Sequence, residues 1–233
     1  MDHKEVHLKS SEFISDIVIG MSDGLTVPFA LAAGLSAVIG STNQMVLTAG
    51  IAEIVAGSIA MSLGGYLAGK TEQEHYEHEL KREYEEVERV PEREKQEVRE
   101  IFAEYGIDEE GQILLVNQLA KDKNKWVDFM MKFELGLERP NPSRARNSAL
   151  TIGSAYFIGG LLPLTAYFIT QTPKEGLVIS AIITTLCLFI FGYFKSKVTG
   201  QPPILGALKV TSIGLIAAAA AYFVAIGFDR LFH

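Results

Sequence analysis

Two carboxylates stand where their chemistry is unfavourable, with a thioether close by in sequence. Asp23, Glu53 and Met61 fall within or beside long apolar stretches of a 233-residue chain. Burying a lone carboxylate in hydrocarbon costs at least about 2.5–3.5 kcal/mol, so such groups face a bundle interior or a water-filled path. Asp16 lies seven residues before Asp23, on the same face of a helix, and reads as a cap of that helix at the membrane interface. On the next stretch Glu53, Gly57 and Met61 are spaced four apart and share a face. A thioether is a soft ligand that borderline metals accept, whereas magnesium and calcium prefer oxygen. Met61 alone reads as packing; with Asp23 and Glu53 it reads as the lining of a cation pathway.

A second set of carboxylates lies in a charged stretch. Glu79, Glu83 and Glu86 fall on one helical face, Glu94 and Glu97 form an i, i+3 pair, and Met130 and Glu134 an i, i+4 pair. Like charges at these spacings destabilise a helix by a few tenths of a kcal/mol per pair. A divalent cation bridging facing helices removes that repulsion, as in bundles that hold iron between helical carboxylates. Spacing alone leaves a second reading open, because mixed Glu, Lys and Arg runs also describe a solvated helix face. His75 and His78 offer nitrogen ligands or are simply exposed. An EF-hand is not supported, since the stretch from Asp108 to Gly111 lacks the alternating ligands and the glycine at position six. Glu72 and His75 have the Glu-x-x-His spacing of di-iron enzymes, but only once, which argues against catalysis.

The elements that must position these groups follow from a segregation of charge. Between Lys70 and Arg146 lie 20 of the 28 acidic and 14 of the 21 basic residues, although the whole chain is 48% hydrophobic. A helix needs about 20 apolar residues to cross roughly 30 Å of hydrocarbon. Five stretches qualify: Ile17–Ile39, Met45–Ala68, Leu150–Thr170, Leu177–Phe194 and Ile204–Phe228. The fold expected is an all-α membrane protein, with five transmembrane helices and a cytosolic helical insert between helices 2 and 3. Its parts are an amphipathic amino-terminal segment (1–15), helices 1 and 2 (16–69), the insert (70–145) and helices 3 to 5 (146–233). Within the insert, helices are expected from Lys70 to Val90, Glu92 to Tyr105, Asp108 to Asp122 and Lys123 to Leu137. Pro91, Gly106, Asn141 and Pro142 act as breaks. The third helix is expected to bury Ile113, Leu114, Val116, Leu119 and Ala120, and the fourth Trp126, Phe129, Met130 and Phe133.

Loop charge orients the spans. The short connections Ser41–Gln44 and Gln171–Gly176 carry one lysine between them, Lys174, while the amino terminus, the insert, Lys195 and Lys197 lie on the other side. The positive-inside rule makes the amino terminus and the insert cytosolic and the carboxyl terminus lumenal. Residues 1–16 are polar and lack a signal-peptide pattern. Val6, Leu8, Phe13, Ile14 and Ile17 suit an amphipathic helix on the cytosolic surface. The single cysteine, Cys187, reads as packing. Ala52, Ala56, Ala60, Gly64 and Ala68 recur every four residues, a stripe that lets another helix approach. Gly20, Gly24 and Gly34, with Pro28, suggest a flexible or kinked first helix near Asp23.

The stretch Ser22-Asp23-Gly24-Leu25-Thr26-Val27-Pro28-Phe29 resembles the first-span signature of the vacuolar iron transporter family. Glu53 through Met61 and Ser62, with Gly65-Tyr66-Leu67-Ala68 running into an acidic helix, is similar to its second span. The glutamate pairs and the Met130/Glu134 pair resemble its metal-binding insert, and the likeness covers essentially the whole chain. It is that of plant-type members with the full insert. The resemblance implies a homodimeric, multi-pass protein of the vacuolar membrane that carries Fe²⁺, and often Mn²⁺, from cytosol to vacuole in exchange for protons. Carried over by position, Asp23, Glu53 and Met61 line translocation. Glu83, Glu86, Glu94, Glu97, Met130 and Glu134 bind Fe²⁺, Mn²⁺, Co²⁺ or Zn²⁺. No prosthetic group, enzymatic activity or nucleic-acid partner is expected. The amino terminus is short for a plant member, so a vacuolar sorting signal is expected to be missing from it. A channel without proton coupling and a membrane-anchored metal sensor are the rival readings.

Overall fold

The structure is a computed structural model and describes residues 9–232. It is all-helical among those residues: α1 Lys9–Ala37, α2 Asn43–Arg89, α3 Pro91–Glu104, α4 Glu109–Leu119, α5 Lys123–Phe133, α6 Arg144–Ile169, α7 Pro173–Val198 and α8 Pro203–Phe232. Each expected apolar stretch forms the body of one long helix. Five helices (α1, α2, α6, α7 and α8) are long and apolar enough to cross a membrane. The chain divides into two compact units, residues 67–145 forming one and the flanking residues the other; the boundary falls within α2.

In the apolar unit α1 packs on α7 and α8, and α7 on α8. Helix α7 shows what holds this unit together. Its buried face reads Gly176, Ser180, Thr184, Leu188, Gly192, Ser196. Its exposed face reads Val178, Ile182, Leu186, Ile190, Phe194. Small and hydroxylated residues point inward and large apolar ones outward, the reverse of a water-soluble helix and the pattern expected in lipid. Ser180 Oγ donates to the Pro163 carbonyl at 2.7 Å. Asn43 Nδ2 donates to the Thr170 carbonyl at 2.6 Å, satisfying a carbonyl at the end of α6.

The glycines of α1 serve close approach. Helix α1 continues through Pro28 without interruption, and a Cβ on Gly20 or Gly24 would run into the backbone of Ile152 or Tyr156 on α6. Backbone cannot move aside as a flexible side chain can. Gly24→Ala is therefore expected to lower stability by about 1–3 kcal/mol, the usual overpacking range. Gly227→Ala, with open space around it, should leave the melting temperature of the purified protein unchanged. Equal melting temperatures for both variants would refute the close approach.

The amino-terminal expectation is only partly addressed. Val6 and Leu8 lie outside the described residues. Phe13, Ile14 and Ile17 belong to α1, which runs unbroken from Lys9 into the apolar stretch. Asp16 is consequently internal to a helix and does not cap one. It is 3% exposed and accepts from Ser148 Oγ at 3.1 Å.

The charged unit has its own core of Tyr76, Val87, Val98, Val116, Trp126, Val127, Met130 and Met131. Val90 breaks the chain between α2 and α3, and Pro91 sits at the first position of α3, where its missing N–H goes unneeded. Asp108 and Asp122 prove to be N-caps, accepting from the backbone N–H groups of Gly111 and of Asn124 and Lys125. Helix α4 is thus shorter than expected. Val116 is buried and Leu119 and Ala120 pack against the core, but Ile113 and Leu114 are exposed. The last helix stops at Phe133, with Gly136 taking the left-handed turn at φ 64°. Phe133 is about half exposed and lies against Phe129, ring centroids 4.7 Å apart.

Candidate functional site

Two groups of carboxylates occupy the two units. In the apolar unit Glu53 sits on α2, and the Tyr156 hydroxyl of α6 donates to its Oε1. Its Oε2 is buried without a hydrogen-bond partner among the described residues. Gly57, one turn along α2, leaves room for the Tyr156 ring, because a Cβ there would come within 2.6 Å of it. The Tyr156 backbone lies against Gly24, next to Asp23 on α1. Asp23 itself is exposed on α1, and Met61 is partly buried two turns along α2 from Glu53.

Tyr156 thus stands where α1, α2 and α6 meet, and reading the sequence missed it. A buried tyrosine needs a partner for its hydroxyl, so a tyrosine within an apolar span was the available signal. The small-residue stripe Ala52, Ala56, Ala60, Gly64 and Ala68 is exposed along its whole length, as are Ile51, Val55, Ile59 and Leu63 beside it.

In the charged unit Glu83 and Glu94 are each 1% exposed. A ligand oxygen from each of Glu83, Glu86 and Glu94 lies within 4.8 Å of the other two. Oxygens around one ion at about 2.1 Å stand about 3 Å apart when adjacent, so small side-chain rotations would close the set. One oxygen each of Glu83 and Glu94, Oε2, has no hydrogen-bond partner among the described residues. Leaving such atoms buried costs about 1–3 kcal/mol apiece, more for charged groups.

Burial, and then neighbouring carboxylates, push Glu94 up to about 7; Glu97 and Glu83 are foremost among those neighbours. Burial, with Glu83 and Glu97, likewise raises Glu134 to about 7. Burial also raises Glu83, while the Arg82 guanidinium pulls it back. Mutual repulsion of this kind shows that Glu83, Glu86, Glu94, Glu97 and Glu134 form one electrostatic group. Met130 is 0% exposed and belongs to the apolar core one turn before Glu134. His75 and His78 are exposed.

The arrangement defines an all-α membrane protein that carries carboxylates in its apolar unit and a dense carboxylate cluster in a helical insert. A profile of the VIT family matches residues 14–226, and the chain belongs to that family. It is similar to vacuolar iron transporter 1 of Tulipa gesneriana, 50% identical over 96% of this chain and 90% of that protein. Vacuolar iron transporter 1 of Arabidopsis thaliana is 52% identical over 96% of this chain and 89% of its own. Protein CCC1 of Saccharomyces cerevisiae is 38% identical over 90% of this chain and 67% of its own. The plant proteins match along nearly their full length, so this is a plant-type member.

Proposed function

We propose that this chain is a proton-coupled antiporter that moves Fe²⁺, and other divalent transition metals such as Mn²⁺, from the cytosol into the vacuole. It works as a homodimer in the vacuolar membrane and is not an enzyme. Cargo and compartment follow the names of the plant relatives. The observation that carries the coupling is Glu53, with one oxygen held by Tyr156 and the other buried and unpartnered. Metal and proton compete for such an oxygen, because a carboxylate must be deprotonated to ligate.

In this mechanism the insert and the amino terminus face the cytosol, as the loop charges indicate. Fe²⁺ is captured by Glu83, Glu86, Glu94, Glu97 and Glu134 with the Met130 thioether, and delivered to Asp23, Glu53 and Met61. An acidic lumen protonates the membrane carboxylates and releases the ion. The exposed small-residue stripe on α2 supports association with a second copy.

Fe²⁺ uptake into proteoliposomes tests this reading. Uptake is expected to need an acidic interior and to fall to background in Asp23→Ala. Uptake indifferent to the gradient would point to a channel, and no uptake of any divalent metal would leave a sensor.

A further inference from the structure

Arg82 lies inside the carboxylate cluster of the charged unit. Its Nη2 is 2.9 Å from Glu79 Oε2 and 3.3 Å from Glu83 Oε1, and its Nε is 3.6 Å from Glu86 Oε2. Glu83 and Glu86 are two of the three residues whose oxygens converge with Glu94. The site is more than a run of acids, since Glu83 and Glu94 are almost fully buried and each keeps an oxygen without a partner.

A guanidinium and a divalent cation want the same oxygens. Arg carries five donors, no acceptor and a permanent charge, so it cannot yield by losing a proton; it has to move. Its side chain is 44% exposed, which gives the displaced head a route to water. Neighbouring Lys81 differs, because it is 80% exposed and its ion pair among the described residues is with Glu85, at 3.8 Å. An exposed pair of that kind contributes little.

We propose that Arg82 is a resident counter-cation of the metal site, which an incoming divalent ion displaces, so that this side chain sets how loosely the insert holds its cargo. The proposal rests on the insert being metal-binding and adds a tuning residue to it. With Arg82 in place the carboxylates stay paired and the ion binds against competition. Without it the ion binds more tightly and leaves more slowly, which is a defect in a transporter.

The test is calorimetric titration of the full-length protein with Fe²⁺ under anaerobic conditions, following the binding component that Glu94→Gln removes. Arg82→Gln should tighten that component about tenfold, the scale of one charge-assisted hydrogen bond screened by water. Lys81→Gln, the same charge change one residue away, should alter it less than about twofold. A merely structural arginine would weaken binding when removed.

Phenylglyoxal labelling of the wild type, read by mass spectrometry, needs no variant to fold. Fe²⁺ should increase labelling at Arg82 and leave Arg89 unchanged. Equal or weaker binding by folded Arg82→Gln, or labelling at Arg82 that Fe²⁺ does not raise, overturns the proposal. If the wild type shows no component that Glu94→Gln removes, the metal site itself falls and Arg82's role with it.

Discussion

Glu53→Gln is expected to reduce Fe²⁺ uptake at least about a hundredfold while the protein remains folded. Removing a residue one shell away from a metal costs about 10–100-fold, so losing Glu53, which the proposed mechanism makes a direct ligand, belongs at or above the top of that range. The amide keeps the shape of the acid and an oxygen to accept from the Tyr156 hydroxyl, so the join between α2 and α6 survives. What disappears is the charge and the exchangeable proton. Uptake per folded protein, with melting and size-exclusion profiles as controls, reads the difference. Undiminished proton-driven uptake by Glu53→Gln would remove Glu53 from the pathway.

The second large effect is a pair of opposite pH dependences in the charged unit. Glu94 and Glu134 are raised to about 7, against an ordinary glutamate value of 4.5. Between those values the folded form binds more protons than the unfolded one, so stability falls as pH rises. Their stabilising contribution is complete below pH 4.5 and is lost as pH passes upward through 7. Metal binding at the proposed site should run the other way, because its ligands must shed those protons first. Below pH 7 affinity should fall about tenfold per pH unit for each proton displaced.

Trp126 is the chain's single tryptophan and is buried in this unit's core, so its fluorescence reports this unit alone. In chelator the Trp126 melting temperature should decline from pH 5 to pH 8, while Fe²⁺ affinity climbs. Glu94→Gln should flatten the first profile and weaken binding throughout. Two profiles that run in parallel would disprove the assignment.

The helical architecture was legible because its signals are local. Apolar runs of span length mark α1, α2, α6, α7 and α8, and Pro91 and Gly106 punctuate the insert. Spacing marked Glu79, Glu83 and Glu86 as one face and Glu94 and Glu97 as a separate pair. Only the family resemblance joined Glu83, Glu86, Glu94, Glu97, Met130 and Glu134 into one set, and the fold brings Glu134 into electrostatic reach of Glu83, Glu86 and Glu97. What stayed hidden depends on contacts between residues far apart in sequence. The pairing of Tyr156 with Glu53 joins residues 103 positions apart, and that of Ser148 with Asp16 joins residues 132 apart. Gly20 and Gly24 suggested kinks because glycine within a helix looks like weakness until the neighbouring backbone is seen. Ile113 and Leu114 were assigned to the core because an apolar stripe shows that a face can be buried, without showing which edge meets a partner. Arg82 passed as one more charge on a solvated face, since charge balance along a helix says nothing of how many acids one guanidinium serves.

The outward-facing pattern of α7 changes how sequence drift in this helix should be judged. Hydrophobic gain is ordinarily taken as harmless in an apolar span. Here Ser180→Leu would forfeit the bond to the Pro163 carbonyl and force bulk into a fully buried position. Any side chain on Gly192 would meet Ala207 and Val210 of α8 at about 3 Å. Ile182, Leu186 and Ile190 touch mainly the surrounding solvent, and lipid does not distinguish one branched hydrocarbon from another. Tolerance of apolar substitutions along α7 should therefore rise and fall with the helical turn, following side-chain size. The positions that look least remarkable, its serines and glycines, are those whose alteration carries the greatest risk.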